Sequence, residues 1–222
     1  MKNKKPIPKG ADTVVKRSFA IEDLVAAESG SVIEGHPAVY DQKTNIGGYF
    51  YEVIERGAFD RCNFDDVLFS VNHELEKIPL ARSRRNNSNS TMQITIDEVG
   101  LFFRANLDLE NNTESRNLYS AVKRQDINGM SFIFRVNKDE WSDLDSEMPT
   151  RRIKEIGRVI EVSAVTFPAY AGTDIDARDQ GALDNALRAL DNARSELDNS
   201  RVQQLQIEKA KLELRKRGNE HE

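Results

Sequence analysis

Short apolar runs separated by turn residues fill the chain from about residue 13 to about residue 173, and this pattern restricts the fold most. Residues 67–71 form a continuous apolar run, as in a buried strand. Residues 91–97 alternate apolar and polar side chains up to a turn, and residues 101–107 follow as a second strand, which predicts a hairpin. At least six such strands with few helices favour a mainly β (α+β) fold, with a closed or nearly closed small β-barrel.

Two segments of this zone have helical character, so we expect a few helices beside the barrel. Residues 112–124 carry apolar side chains at helical spacing, and Asn112 or Thr113 is placed to cap that helix. Residues 55–62 are expected to contain a short helical turn.

Beyond residue 173 the chain contains no proline and no aromatic residue, and leucines recur amid charged side chains. This pattern predicts a long amphipathic helix from about residue 175 to about residue 217. The helix either packs on its own domain or projects toward a partner, and its narrow apolar stripe favours projection. We divide the chain into a flexible lead-in at 1–12, a domain at 13–173 and a helical tail at 174–222.

The charge distribution argues against direct binding of nucleic acid. The chain carries 32 basic and 37 acidic residues, a net charge of −5, and the two signs are mixed along it. Nucleic-acid binding requires basic residues clustered on one face. The one basic cluster, at residues 82–85, adjoins a run of asparagine and serine and is interpreted as a solvated loop.

Neither a metal site, a cofactor site nor a membrane segment is predicted. Cys62 is the only cysteine and has no activating neighbours, so we interpret it as a small buried or half-buried thiol. The histidines, His36, His73 and His221, are too dispersed to read as metal ligands. No apolar run approaches the ~18 residues of a membrane span, and no secretory signal is evident, so we expect a cytoplasmic protein.

Three residues in apolar surroundings are candidates for catalysis. His73 follows a buried strand, where its ring can be oriented and still act as a base, although a structural histidine fits equally. Ser131 follows Gly129 in a strand whose other side chains are large and apolar. It either satisfies a local hydrogen bond or acts as a nucleophile. Glu161 lies within an apolar strand, where a carboxylate requires a partner. Together they supply the minimum for acyl transfer, but spacing does not show that they meet.

Several blocks resemble, in this order, those of the prohead protease family of tailed phages, whose fold is similar to that of the herpesvirus maturation protease, assemblin. The resemblance covers about residues 14–173. It is carried by residues 35–40, Glu-Arg-Gly-Ala-Phe at 55–59, Asn-His at 72–73, Gly-Leu at 100–101, Asn-Gly-Met-Ser-Phe at 128–132 and Glu-Val-Ser-Ala-Val-Thr-Phe-Pro-Ala-Tyr at 161–170.

The resemblance implies a serine endopeptidase with His73 as base, Ser131 as nucleophile and Glu161 as the acid that orients the histidine. The herpesvirus enzymes are similar in using a histidine and a serine, but their third member is a second histidine. No second histidine fits here, because His221 lies in the polar tail. The alternatives to Glu161 are other acidic residues, namely Asp97, Glu98 and Glu74.

The resemblance also implies a biological role and a set of partners. Such an enzyme cleaves the scaffolding segment of the major capsid protein, and then itself, inside the immature capsid in the host cytoplasm. Self-association is expected, and no cofactor is implied. The tail at 174–222 would dock to scaffold or capsid protein by helix pairing and be removed later.

Two other functions are open at this stage. A non-enzymatic assembly scaffold with a coiled-coil tail would explain the tail equally well and is opposed only by the central blocks. Another serine hydrolase, such as an esterase, is disfavoured because the sequence lacks a Gly-x-Ser-x-Gly elbow and the alternating helices of that fold.

Overall fold

The computed structural model of the chain describes residues 13–19, 23–27, 30–85, 87–166 and 180–219. Strands dominate these residues, and two helices accompany them, as the sequence predicts. The elements are β1 (Thr13–Phe19), β2 (Val25–Ala26), β3 (Val32–Val39), β4 (Thr44–Ile46), β5 (Phe50–Ile54), β6 (Asp66–Val71), β7 (Ala81–Arg84), β8 (Met92–Ile96), β9 (Gly100–Asn106), α1 (Thr113–Lys123), β10 (Gly129–Ser142), β11 (Thr150–Val165) and α2 (Gln180–Asn219).

The larger sheet is organised around β11, which is 16 residues long. The sheet has the order β1-β10-β11-β5-β4, and β6 pairs with both β11 and β7. One side of β11 pairs with β10 throughout. The other side pairs in parallel with β5 at residues 150–153 and with β6 at residues 161–164. The second half of β11 therefore lies between β10 and β6.

The smaller sheet has the order β2-β3-β9-β8, and it contains the hairpin predicted from residues 91–107. Asp97 shapes the hairpin turn, since its Oδ1 atom accepts the backbone N–H groups of Val99 and Gly100 at 2.8 and 2.9 Å. The polar turn residues of the sequence thus make the turn by side-chain bonding to the backbone.

The two sheets share one apolar core, in which aliphatic side chains surround several phenylalanine rings. Phe69 of β6 and Phe103 of β9 join the sheets, with ring centroids 5.2 Å apart. Phe132 and Phe134 of β10 stack with centroids 4.2 Å apart. All four rings are fully buried, and each contributes roughly 1.5–3 kcal/mol by leaving water.

The strands do not close into a barrel in the part of the chain that the structure describes. The larger sheet ends at β1, β4 and β7, and the smaller sheet ends at β2 and β8. Between β7 and β8 the Thr91 hydroxyl accepts the Arg82 N–H at 2.9 Å, in place of a backbone ladder. The prediction of a closed or nearly closed barrel is therefore wrong, because the number of strands does not determine which edges pair.

Helix α1 begins after Asn112, whose side chain accepts the N–H groups of Glu114 and Ser115. This is the cap that the sequence predicts, and it satisfies two backbone donors that the first turn leaves free. Residues 55–62 form successive turns instead of a helix.

Helix α2 packs on the larger sheet over its first part only. Leu183 and Ala186 are buried in a small cluster with Ile46 and Phe50, and Leu190 farther along the helix is also buried. The stripe continues along the helix, but beyond residue 200 its apolar side chains are exposed, including Val202, Leu205, Ile207, Leu212 and Leu214. The first part of the helix therefore packs on its own domain, and docking of the exposed part to a partner stays a prediction.

Two arginines that interrupt the stripe tie α2 to the turn between β10 and β11. Arg194 donates to the carbonyl groups of Leu144 and Ser146, and Arg201 forms an ion pair with Asp145. The predicted boundary near residue 173 and the predicted lead-in at 1–12 lie outside the described residues.

Replacing Gly100 by alanine should destabilise the fold. A Cβ atom there would lie 2.1 Å from the Ala38 carbonyl oxygen and 2.9 Å from the Val39 Cα atom, so the backbone of β3 would have to move. We expect the free energy of unfolding to fall by about 1–3 kcal/mol. Gly181→Ala is the control, because nothing lies within 4 Å of its Cβ position, and a helical alanine should add about 0.5 kcal/mol. Equal denaturation midpoints for Gly100→Ala and the native chain would contradict this packing.

Candidate active site

A patch of polar side chains lies on one face of the larger sheet. Ser131 of β10 pairs with Ser163 of β11, which pairs with Ser70 of β6. Directly opposite residues share a face, and alternate residues of a strand face the same side, so Glu161 joins this patch. All four side chains are buried.

His73 is brought over this patch by a sharp turn at the end of β6. Asn72 and His73 both have left-handed backbone conformations, with φ of 49° and 60°, which cost about 1–2 kcal/mol per residue. Two contacts fix the turn: the Asn72 N–H donates to the Ala164 carbonyl at 2.9 Å, and the Asn72 Oδ1 atom accepts the Thr166 N–H at 3.0 Å. Strain of this kind persists only where the surroundings hold it, and it is typical of functional sites.

The structure brings the three predicted site residues into direct contact. The His73 Nε2 atom lies 2.7 Å from the Ser131 Oγ atom, and the His73 Nδ1 atom lies 2.8 Å from a Glu161 carboxylate oxygen. A carboxylate accepts only, so Nδ1 carries the proton and Nε2 is free to accept the Ser131 proton. Histidine thus has the tautomer that a general base toward serine requires.

Two further serines support this arrangement and were not singled out from the sequence. The Ser70 hydroxyl donates to the second carboxylate oxygen of Glu161, and the Ser163 hydroxyl accepts the backbone N–H of His73 at 3.0 Å. Ser163 lies two residues from Glu161 on β11, and this spacing places both on one face of the sheet. That alternation could have identified Ser163, whereas Ser70 lies on β6 and reaches Glu161 only through the pairing of β6 with β11.

The other acidic residues considered for the third position are engaged elsewhere. Asp97 lies 2.9 Å from a ring nitrogen of His36, on the smaller sheet. Glu74 forms an ion pair with Lys77 at 2.6 Å, and Glu98 is exposed in the β8–β9 turn. Glu161 is therefore the carboxylate that the structure places at His73.

The remaining titratable candidates have other environments. Burial acts to lower the pKa of His36, but hydrogen bonds to Asp97 and Asp23 outweigh it and raise that pKa above its ordinary value. This histidine joins the β8–β9 turn to the loop before β2. Burial raises the pKa of the Cys62 thiol to about 12, so almost no thiolate forms at neutral pH. His221 lies outside the described residues.

Among the residues that the structure describes, no group of three or more histidine, cysteine, aspartate or glutamate side chains has an arrangement that could hold a metal ion, and neither helix has an apolar stretch long enough to span a membrane. The chemistry of the patch is that of its own groups: a hydroxyl, an imidazole and a carboxylate in a water-poor setting. This set can transfer an acyl group without a cofactor.

Comparison with known proteins identifies a family and a similar solved structure. A model of the Caudovirus prohead serine protease family matches residues 18–187. A structure described as the bacteriophage T4 capsid assembly protease, gp21, aligns with 71% of this chain and 99% of its own, at 13% sequence identity and a TM-score of 0.41. That structural likeness is too distant to carry an argument. No curated protein matches.

Proposed function

The chain belongs to the Caudovirus prohead serine protease family, and on this basis we propose that it cleaves the scaffolding segment of the major capsid protein, and then itself, during assembly. Ser131 is the nucleophile, His73 the general base and Glu161 the orienting acid. The observation that supports these roles is the position of His73, which contacts Ser131 through one ring nitrogen and Glu161 through the other. A phage prohead protease acts on capsid protein within the prohead, in the host cytoplasm.

In the first half of the reaction, Ser131 Oγ attacks the carbonyl carbon of the substrate peptide bond while His73 Nε2 takes its proton. The carbonyl oxygen becomes negatively charged, and the imidazolium is stabilised by the Glu161 carboxylate at Nδ1. His73 then gives the proton to the leaving nitrogen, the C–N bond breaks, and an ester to Ser131 remains.

In the second half of the reaction, a water molecule takes the place of Ser131 as the attacking group and hydrolyses the ester. His73 accepts a proton from the water as the water oxygen attacks the ester carbon, and it returns that proton to Ser131 Oγ as the ester bond breaks. The Glu161 carboxylate carries no proton during the cycle. Ser70 occupies one oxygen of the Glu161 carboxylate, so His73 Nδ1 bonds the other oxygen. This contact fixes the orientation of the imidazole ring toward Ser131.

Ser131→Ala should abolish self-processing. We expect the native chain to shorten over time, by cuts in the tail or the lead-in, and the variant to keep its full mass, because alanine has no group that can attack. Intact-mass spectrometry of the two proteins, purified in parallel, measures this. Ser142→Ala, at the other end of the same strand, is the matched control and should shorten like the native chain.

Each alternative outcome has a distinct meaning. Equal shortening of the native and Ser131→Ala chains would assign the cuts to a host protease. If neither protein shortens, even with capsid protein added, the chain is not self-processing, and the reading of a non-enzymatic scaffold gains support.

Glu161→Gln should lower peptide hydrolysis by about 10³- to 10⁴-fold, since an amide neither stabilises the imidazolium nor selects the required tautomer. The amide has nearly the same shape, so thermal unfolding should show a folded protein. Glu155→Gln is the control on the same strand, where the carboxylate contacts only Asn137 among its described hydrogen bonds. A Glu161→Gln rate within about threefold of the native rate would remove Glu161 from the mechanism.

The exposed part of α2 supports a role in binding partners, and we propose that it docks to scaffold or capsid protein by helix pairing. Leu205 and Leu212 continue the face on which Leu183 and Leu190 are buried, at 3.6 residues per turn. A helix that presents such a stripe to water gains by burying it against another helix. The buried first part of α2 stays with the domain.

Leu205→Gln combined with Leu212→Gln should lower the amount of protease packaged in proheads at least about tenfold, because two buried leucines contribute about 3 kcal/mol or more. Peptide hydrolysis should stay unchanged. Ile207→Gln combined with Leu214→Gln removes two apolar side chains from the opposite face and is the matched control. Quantitative mass spectrometry of purified proheads measures both. Native packaging of the first variant would exclude this face as the docking surface.

A further inference from the structure

Two serines join the backbone of His73 to the Glu161 carboxylate by a second route. Ser163 of β11 and Ser70 of β6 lie opposite each other, and their Oγ atoms are 3.2 Å apart. Ser163 Oγ accepts the His73 backbone N–H at 3.0 Å, and the Ser70 hydroxyl bonds a Glu161 oxygen. His73 Nδ1 bonds the other oxygen at 2.8 Å and closes the loop of hydrogen bonds. We call these four residues the serine circuit.

The donors and acceptors of the serine circuit have one consistent order when Glu161 is ionised. A carboxylate accepts only, so Ser70 donates its single proton to Glu161. Ser70 Oγ is then the acceptor in its contact with Ser163, which itself accepts the His73 N–H. The Ser163 proton has a second acceptor, the Ala164 carbonyl, at the longer distance of 3.5 Å. Every member of the circuit is buried, and its polar groups are satisfied within the protein.

The serine circuit holds His73 at two points. Its backbone N–H belongs to a residue with φ of 60°, a conformation that persists only where contacts enforce it. Its imidazole is held at Nδ1, so the turn of the backbone and the direction of the side chain depend on one carboxylate. Loss of Ser163 leaves the buried His73 N–H without its acceptor, and loss of Ser70 leaves a Glu161 oxygen without its donor.

The placement of His73 must be accurate because Ser131 has a second acceptor within reach. The Ser131 Oγ atom lies 2.7 Å from His73 Nε2 and 2.8 Å from the Arg17 carbonyl oxygen. A hydroxyl has one proton, and the nearer and better aligned acceptor receives it. A small shift of His73 would therefore leave the proton with a carbonyl group, which cannot act as a base.

We propose that Ser163 and Ser70 are positioning residues of the proposed reaction, and that the serine circuit holds the His73 imidazole in the orientation that accepts the Ser131 proton. The proposal rests on the proposed function of Ser131, His73 and Glu161. The two serines differ in what they hold: Ser163 holds the backbone of His73, and Ser70 shares the charge of Glu161. A packing role alone requires neither hydroxyl.

Ser163→Ala tests the backbone half of the circuit in the full chain. The probe is diisopropyl fluorophosphate. The Ser131 Oγ atom bonds to phosphorus, the bond from phosphorus to fluorine breaks, fluoride leaves, and His73 takes the proton. We expect the labelling rate, followed by intact mass, to fall about tenfold to a hundredfold, because a misplaced base does not accept the proton.

Ser163→Thr keeps the hydroxyl and should recover most of the native labelling rate. A Ser163→Ala rate within about twofold of the native rate would overturn the proposal. So would a Ser163→Thr chain of native thermal stability that labels as slowly as Ser163→Ala, since the hydroxyl would then have no part in the effect.

Ser115→Ala is the matched control. Ser115 is also fully buried, but it lies on helix α1, and its hydroxyl has no hydrogen-bond partner among the described residues. This change removes the same oxygen from the interior without opening the serine circuit, so labelling should stay at the native rate. An equal loss of rate in Ser115→Ala and Ser163→Ala would count against the circuit.

Proton NMR of the His73 Nδ1–H group gives a readout that a packing role would not move. A ring N–H bonded to a carboxylate resonates downfield of the backbone amides and is visible only while its exchange with water is slow. Ser163→Ala should broaden or remove this line, because the turn at His73 is loosened. Ser70→Ala should move the line farther downfield, because a carboxylate that loses one donor binds the remaining donor more strongly.

His36 is an internal reference in the same spectra. Its two ring nitrogens bond Asp23 and Asp97, outside the serine circuit, so its lines should be the same in every variant. His73→Gln removes the line of interest and so assigns it. An unchanged His73 line in both Ser163→Ala and Ser70→Ala would overturn the proposal, whatever the labelling rates are.

The two readouts separate this proposal from the assignment of Ser131 as nucleophile. Labelling of Ser131 in the native chain, with a His73 line that ignores both serine changes, would contradict the circuit and leave the proposed function standing. A His73 line that responds as expected, with no labelling of Ser131 in the native chain, would instead contradict the proposed catalytic role.

Discussion

The buried carboxylate of Glu161 imposes the constraint on which the rest of the site depends. An ionised group inside a sheet costs several kcal/mol unless its oxygens are hydrogen-bonded. Ser70 satisfies one oxygen, and the His73 ring satisfies the other. Each partner lies on or just after β6, so the pairing of β6 with β11 is held by polar contacts in addition to the backbone ladder. The same contacts orient His73 toward Ser131.

The sheet topology explains why these groups come together. On one side, β11 pairs with β5 over its first residues and with β6 over its last. Its second half therefore lies between β10 on one side and β6 on the other. The proposed nucleophile, acid and base come from three adjacent strands or their ends. One face of that sheet is apolar and joins the shared core, whereas the other concentrates the hydroxyl and carboxylate groups. Strands therefore hold Ser131 and Glu161, whereas the position of His73 depends on its left-handed turn.

Residue types and local pattern were sufficient to predict several strands, the hairpin, the capped helix α1 and the long helix, and to select Ser131, His73 and Glu161 as candidates. They did not predict β7, because residues 82–85 were interpreted as a solvated loop, whereas residues 81–84 pair with β6. They were not sufficient for pairing between distant strands. The barrel prediction was wrong for this reason, since closure depends on edges that local pattern does not specify. The contact between Arg17 and Ser131 joins residues far apart in the chain and left no local signal. The catalytic roles of the three side chains stay a prediction, although the structure brings them together.

Helix α2 has a consequence for the reach of the enzyme. Only its first part rests on the domain, and beyond the ion pair of Arg201 with Asp145 the helix can extend roughly 27 Å to Asn219, at 1.5 Å per residue. A stiff arm fixed at one end to the domain and bound at the other to a neighbour confines the catalytic domain to a small volume around that neighbour. Its effective concentration toward nearby cleavage sites would then be on the order of millimolar. Under such confinement, the affinity of the active site for a free peptide can be weak without loss of function.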